Sequence, residues 1–388
     1  MNNYPGNPRR NRNLIIFFVL LALAVLIVSF SLTYVFIINK NSSSTASTTP
    51  TPGPGLATCT GQGATKNADG SYSFSPLHIN GAGQIVDAHN CLVRLVGMNM
   101  GALFLGSAGH PTPPVIAWYK QHIPMNIVRE AFNTYWWQTD VNVPNAKMHY
   151  RAWLQTVVKW QEQSGNYVIL DAATQFHNPP CGTGLTIPCP SQSQASKNVP
   201  PNPQEKSTYQ PTVLSALTDL AKLYSRDPAI IFDVWNEPSN KEINGISMQT
   251  FFSDMNDRIN TVRQYAPNAI VMVYQQGIDQ LETAAAPDYT QKNILFDTHI
   301  YQGKWNPSAS MPLVNFAHSH GQAVIVGEWG GVPGKPDPSV MIPFVKDNYL
   351  ATCYFIANDL LTGNATNPTG LNSIGQAVSS GYGSVLGT

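Results

Sequence analysis

Charge is scarce in this sequence. Lys, Arg, Asp and Glu together make up 11% of its 388 residues, against about 25% in an ordinary soluble domain. The 22 basic and 22 acidic residues cancel. No excess of base is left to track a phosphate backbone, so nucleic acid is not expected as a partner. No GxGxxG or GxxxxGK[ST] follows the first apolar strand, which argues against a doubly wound nucleotide-binding sheet. The five cysteines show no CxxC or HxxxH spacing, so structural zinc is not expected. No cluster of His, Asp and Glu stands at ligand spacing, and no metal or cofactor is implied. No repeat of about 20 to 50 residues is visible, which excludes a solenoid.

Apolar residues are plentiful, at 43%, enough for a large core and too many for a disordered chain. The longest apolar run comes first. Residues 13–39 carry no charge, and 14–38 are almost wholly apolar. About 20 such residues cross a bilayer as a helix. Arg9, Arg10 and Arg12 precede the run and Lys40 follows it, so the N-terminus is expected to stay cytoplasmic and the rest to be exported. A cleaved signal peptide is the competing reading, but its apolar core is usually about 7 to 15 residues. The expected organisation is a cytoplasmic N-terminus at 1–13, a transmembrane signal-anchor helix at 14–39, a Ser/Thr/Pro-rich linker at 40–58 and a folded domain at 59–388. The protein would then sit in the cell membrane as a single-pass protein with its folded domain outside. The linker, which includes NSSSTASTTPTPGPG, lacks apolar periodicity and can only space the domain from the bilayer.

Export permits disulfides. Cys59–Cys91 and Cys181–Cys189 are the expected pairs, leaving Cys353 buried and reduced, although the sequence allows other pairings.

Beyond the linker, short apolar runs alternate with amphipathic stretches. The runs at 92–98, 126–132, 167–172, 230–235, 269–274, 294–300, 323–328 and 353–357 read as eight buried parallel strands. Helical spacing appears at 147–163, with Trp153, Val157 and Trp160 on one face, and again at 213–224 and 251–265. Eight strand–helix units predict an α/β fold, a (β/α)8 TIM barrel, with the doubly wound open sheet as the alternative. In such a barrel the chemistry gathers at the C-terminal ends of the strands. There stand Asn99, Arg129, Asn133, His177, Asn236, Glu237, His299, Tyr301, Glu328 and Trp329.

Two of these are carboxylates on apolar strands. IFDVWNEP delivers Asn236 and Glu237, and VIVGEWGG delivers Glu328 and Trp329. Strands four and seven face each other across the barrel mouth, so the two acids can converge. Glycoside hydrolysis needs such a pair, one to protonate the leaving oxygen and one to attack the anomeric carbon. Aromatic planes suit the CH faces of sugar rings, which makes Tyr135, Trp136, Trp137, Trp305 and Trp329 candidate platforms. Each could equally fill the core.

From about residue 81 to 364 the chain resembles glycoside hydrolase family 5, the cellulase-like members of the retaining (β/α)8 glycosidase clan. GQIVDAHNCLVRLVGMN is similar to that family's first hairpin and first strand. NIVREAFN is similar to its strand two, WNEP to strand four, DTHIYQ to strand six and GEWGG to strand seven. The resemblance implies Glu237 as acid/base and Glu328 as nucleophile. It also implies Asn236 on the sugar 2-hydroxyl, Arg129 and Tyr301 on the nucleophile, and His299 in the cleft near the acid/base. Two positions depart from the family. Strand three reads Asp171–Ala172–Ala173, without the family's histidine, and His177 is the residue that could fold back into that space. Strand eight reads CYFIAND, without the family's tryptophan.

The expected function is a membrane-anchored hydrolase, acting as a monomer with retention on a β-linked polysaccharide or oligosaccharide, a glucan or mannan. A glycan receptor that uses the same cleft without catalysis is the rival. Transglycosylation through the same residues is a third reading. The lipid bilayer is the second partner, through the N-terminal helix.

Overall fold

Eight apolar strands pair edge to edge, all parallel, until the last closes on the first. They are β1 (Val96–Asn99), β2 (Ile127–Phe132), β3 (Tyr167–Ala172), β4 (Ile230–Asp233), β5 (Val271–Tyr274), β6 (Ile294–Ile300), β7 (Ala323–Trp329) and β8 (Ala351–Tyr354). The structure is a computed structural model that describes residues 59–61, 63–100, 112–140, 142–143, 146–172, 203–236, 248–274, 291–301, 305–330, 337–364 and 366–388. The expected anchor helix, the linker at 40–58 and the expected Cys181–Cys189 pair lie outside these residues. Among the described residues, no helix is long and apolar enough to cross a membrane.

Alternation along each strand divides the core in two. Ile127, Ile169, Ile231, Met272, Leu295, Ile325 and Ala351 fill the barrel interior. Val128, Val168, Phe232, Val271, Phe296 and Val324 pack outward, with the helices that cover the barrel. Strands apolar on both faces are what a covered parallel sheet requires. Each fully buried Ile, Leu or Phe contributes about 1.5–3 kcal/mol. The covering helices include α1 (Pro113–His122), α2 (Thr134–Thr139), α3 (Tyr150–Gln163), α4 (Pro203–Leu223), α5 (Met248–Tyr265), α6 (Pro307–Ser319), α7 (Pro338–Asp347) and α8 (Ser373–Leu386). On α3, Trp153, Leu154, Val157 and Val158 are buried. They recur at three- and four-residue spacing, as one helix face requires.

The closed barrel excludes the doubly wound alternative. Several strand bounds differ from the sequence expectation. The run at 92–98 splits: Leu92–Val93 pairs with Thr60–Gly61 in a separate four-stranded sheet, and β1 begins at Val96. In β1 a Cβ at Gly97 would lie 1.7 Å from the Ile127 carbonyl oxygen, so only glycine lets β1 approach β2. Strand four ends at Asp233 rather than Trp235. Trp235, only 6% exposed, lies under the Arg258 guanidinium of α5, 3.6 Å from its ring centre. Strand eight runs over Ala351–Tyr354 rather than 353–357. Buried Thr352 suits a strand because its hydroxyl donates to the Val326 carbonyl, at 3.1 Å.

The N-terminal sheet covers the bottom of the barrel. Leu77, Ile79, Ile85 and Val93 pack against the interior residues of the barrel strands, and Tyr167 donates its hydroxyl to the Ser75 carbonyl at 2.8 Å. The expected Cys59–Cys91 disulfide is formed, with Cα atoms 4.8 Å apart and a sequence separation of 32. Closing a loop of that length stabilises by about 3–4 kcal/mol on chain-entropy grounds. Cys353 is buried and reduced, as expected.

Candidate active site

One layer above the apolar filling, the inward positions of the same strands turn polar. β1 supplies Asn99, β2 Arg129, β3 Asp171, β4 Asp233, β6 Asp297 and His299, and β7 Glu328. All face the C-terminal mouth of the barrel. Arg129, 1% exposed, sits at the centre and every donor of its fork is used. Nη1 donates to Glu328 Oε1 at 2.6 Å and to Asn99 Oδ1 at 3.1 Å. Nη2 donates to Asp233 Oδ2 and to Asn236 Oδ1, each at 2.7 Å, and Nε donates to Asp233 Oδ2 at 3.2 Å. Asp171 Oδ2 lies 3.1 Å and Asp297 Oδ2 3.9 Å from Nη2. A planar guanidinium can serve this many acceptors at once, which an ammonium cannot.

Glu328, 6% exposed, is held at both oxygens. Oε1 accepts from Arg129, and Oε2 accepts the Tyr301 hydroxyl. A local irregularity makes room for this. β6 pairs Thr298 with Val326 and then His299 with Glu328, so Gly327 is an extra residue in β7. The bulge turns the Gly327 amide onto Asp297 Oδ1 at 2.9 Å and lets the next side chain face the mouth, a re-aiming for which bulges are suited. The Gly327 carbonyl accepts from Asn99 Nδ2 at 2.8 Å. The sequence element GEWGG therefore carries its glycine for a steric reason: a Cβ at Gly327 would lie 2.1 Å from the Asp297 carboxylate.

Asp171, Asp233, Asp297 and Glu328 surround one guanidinium, and full ionisation of all four is unfavourable. Burial pushes the Asp171 carboxyl well above the ordinary carboxylate range despite Arg129, and the charges of Asp233 and Glu328 add to the effect. Burial raises Asp233 to about 6 against the same opposition. Arg129 remains charged: burial opposes it, but the four carboxylates hold its pKa well above its ordinary value. The centre is thus a fixed cation, an oriented Glu328 and an Asp171 whose surroundings favour its protonated form.

Of the residues expected in the site, Arg129, Asn236, His299, Tyr301 and Glu328 come together here. Glu237 and His177 lie outside the described residues. Three of the expected aromatic platforms belong elsewhere. Trp136, Trp137 and Trp329 are 1%, 3% and 0% exposed and belong to the core between barrel and helices. Trp136 packs edge-on to Tyr150, with ring centres 5.6 Å apart. Trp137 donates its indole N–H to Asp219 of α4 at 3.2 Å, and Trp329 meets Tyr354 edge-on at 4.9 Å. Trp329 follows an inward Glu328, so strand alternation sends it outward. Trp305 is half-buried, donates to Ser310 Oγ at 3.0 Å and packs edge-on to Phe344 at 5.1 Å. The sequence reading missed Asp171, Asp233 and Asp297 as members of the site. The signal was present: YVILDA, IIFDV and ILFDTHI each place one acid inside an apolar strand, and a buried acid needs a partner.

The family model that matches this chain is Cellulase (glycosyl hydrolase family 5), over residues 86–360. Endoglucanase N of Pectobacterium atrosepticum is 22% identical over 182 residues, covering 44% of this chain and 39% of that protein. Endoglucanase MaCel5A of Microbulbifer sp. is 31% identical over 121 residues, covering 29% of this chain and 22% of that protein. The matches therefore span less than half the length of these curated relatives. Among solved structures, the catalytic domain of Thermobifida fusca endoglucanase Cel5A shares the fold with a TM-score of 0.58 at 16% identity, covering 79% of this chain and 97% of that one. Endo-glycoceramidase II from Rhodococcus sp. gives 0.54 at 15% identity, covering 76% of this chain and 80% of that one. With the family match extending from the N-terminal sheet across all eight barrel strands, this chain belongs to glycosyl hydrolase family 5, the cellulase family.

Proposed function

We propose that this protein is a retaining endo-β-glycosidase acting on a β-glucan, with Glu328 as nucleophile and Glu237 as acid/base. The observation that carries the reading is the double hold on Glu328, by Arg129 at one oxygen and Tyr301 at the other. The hold fixes the direction in which the carboxylate can attack. In the first step a Glu328 oxygen bonds to the anomeric carbon while the glycosidic C–O bond breaks. Glu237 gives its proton to the leaving oxygen. In the second step Glu237 takes a proton from water, whose oxygen displaces Glu328 from the same carbon. Two inversions give net retention. Asn236 commits its Oδ1 to Arg129, so its amide N–H groups are the part it has to offer a sugar hydroxyl.

The curated relatives that match are named endoglucanases, which favours glucan over mannan. In this reading the folded domain faces outward from a single-pass membrane anchor and works as a monomer. The glycan-receptor reading has less support, because binding alone gives no reason to orient a buried glutamate from both sides. Incubating the full chain, in detergent, with soluble β-glucans and β-mannans and assaying new reducing ends tests the proposal. Release from a β-glucan that disappears in Glu328→Gln supports it. Binding without release by both forms supports the receptor.

A further inference from the structure

Asp297 has no part in the two-carboxylate mechanism, yet it is fully buried beside the site. It stands two residues before His299 on β6, so the two side chains share the inward face. Asp297 Oδ2 lies 2.9 Å from His299 Nε2. The other ring nitrogen, Nδ1, lies 3.5 Å from Glu328 Oε2. Asp297 cannot swing away, because its Oδ1 accepts the Gly327 N–H at 2.9 Å and the bare Gly327 Cα packs against its carboxylate. The imidazole is therefore bracketed by two carboxylates, one per nitrogen, with its side chain 2% exposed.

A neutral imidazole has one donor and one acceptor nitrogen. Between two ionised carboxylates, one end would then set lone pair against lone pair. An imidazolium has a donor at each end and meets both. Among the described residues, the other groups around the ring do not reverse this. The Tyr274 ring of β5 packs edge-on at 4.9 Å and Tyr301 lies at 6.3 Å. Ionised Asp233, whose charge interacts with His299, pulls the same way, and a protonated Asp171 does not oppose it. The cation facing Asp297, Arg129, is 3.9 Å away and shared with three other carboxylates. We propose that Asp297 is a positioning residue that keeps His299 protonated, with its Nδ1–H directed at the Glu328 carboxylate. The catalytic meaning rests on the nucleophile reading above. As Glu328 forms its bond to the sugar it loses its charge and ceases to hold the His299 proton. Asp297 then retains that proton on the ring, ready to face the carboxylate again when the intermediate breaks down.

The test is the protonation state of His299 in the full chain, labelled with 15N-histidine and purified in detergent. Long-range 1H–15N spectra give both ring nitrogens, and His299→Gln identifies the signals. At pH 8 an imidazole with the ordinary midpoint of about 6.5 is neutral. His299 in the parent is expected to be doubly protonated there, and in Asp297→Asn to be neutral. Glu328→Gln, which removes the charge at the other nitrogen, should also lower the titration midpoint. A parent His299 already neutral at pH 8 overturns the proposal, as does a midpoint unmoved by Asp297→Asn. If Asp297→Asn does not fold, the parent and Glu328→Gln spectra decide. On a soluble β-glucan, the alkaline limb of kcat/KM should move to lower pH in Asp297→Asn, whereas a purely structural defect would scale the profile without moving it. A parent inactive on every glucan would defeat the proposed function, and the spectra would still test this inference.

Discussion

Arg129 donates from Nη1 to Glu328 Oε1 at 2.6 Å, joining the inward faces of two strands that are not neighbours in the barrel. The same guanidinium holds Asp233 and Asn236, so one residue of β2 ties β4 to β7. Removing one partner of a buried ionic set costs about 3–5 kcal/mol. Arg129→Met is expected to lose that much stability or to fail to fold, as read by urea unfolding. Arg129→Lys should fold better but lose activity, since an ammonium cannot serve these acceptors together. An Arg129→Met variant of parental stability would contradict the arrangement.

Asp171 gives a pH-dependent prediction. Its folded carboxyl titrates well above the ordinary range, through burial and then the neighbouring negative charges. The folded protein therefore keeps a proton that the unfolded chain releases above about pH 4. The stability this site contributes is fully present below that pH and is lost as pH rises toward the folded value. Asp171→Asn imitates the protonated acid and removes the dependence. Its stability relative to the parent should improve with pH above 4, by up to about 1.4 kcal/mol per pH unit. Urea unfolding at pH 5 and pH 7 measures it; an advantage that does not grow with pH contradicts a neutral Asp171.

A third raised carboxyl lies at the opposite end of the barrel. Glu162, in the last turn of α3, is pushed up to about 8 by burial, with Asp227 beside it adding to the shift. The sign is the same: the stability it contributes is lost between about pH 4.5 and 8. Glu162→Gln should flatten the fall in melting temperature across that window. Because the pair sits at the N-terminal end of β3 and β4, glucanase activity should be unchanged.

Much of this was legible in the sequence, and the reasons differ by element. Strands such as Tyr167–Ala172 and Ile294–Ile300 were readable because a parallel strand buried on both faces is apolar over most of its length. Arg129, Asn236, Tyr301 and Glu328 were readable because polar residues ending such strands have no packing reason to be there. The aromatics were not readable. Trp136 and Trp137 follow a strand end, as a sugar platform would, but α2 turns both rings into the core, and nothing in the local pattern sets that direction. The ends of β1 and β8 escaped because apolar runs continue past the point where pairing stops: Leu92–Val93 joins another sheet, and residues 355–356 leave the barrel. The Gly327 bulge left no periodic trace, since a single extra residue in VIVGEWGG looks like ordinary alternation.

Gly327 carries its own prediction. A methyl group there would lie 2.1 Å from Asp297 Oδ1, within the hydrogen-bonded core of the site. Gly327→Ala is expected to cost about 1–3 kcal/mol and to displace Glu328. Activity should fall more than stability alone explains, which kcat/KM measured well below the melting temperature would show.

Replacing Glu237 by Gln should separate the two chemical steps. With an activated leaving group the first step needs no proton and the glycosyl-enzyme accumulates. Azide then attacks without a base and yields a β-configured glycosyl azide. On natural glucan, loss of general acid help should cost about 100- to 10,000-fold. Equal losses on both substrate types would remove Glu237 from the acid/base role.

The proposed nucleophile is the centre of the account, and covalent capture tests it most directly. A β-cellobioside with fluorine at C2 and an activated leaving group should form the glycosyl-enzyme and hydrolyse it slowly, because fluorine destabilises the cationic transition state of both steps. Peptide mapping after such treatment should place one glycosyl group on Glu328. A glycosyl group on another residue, or no adduct together with an inverted product from the parent enzyme, would contradict the account.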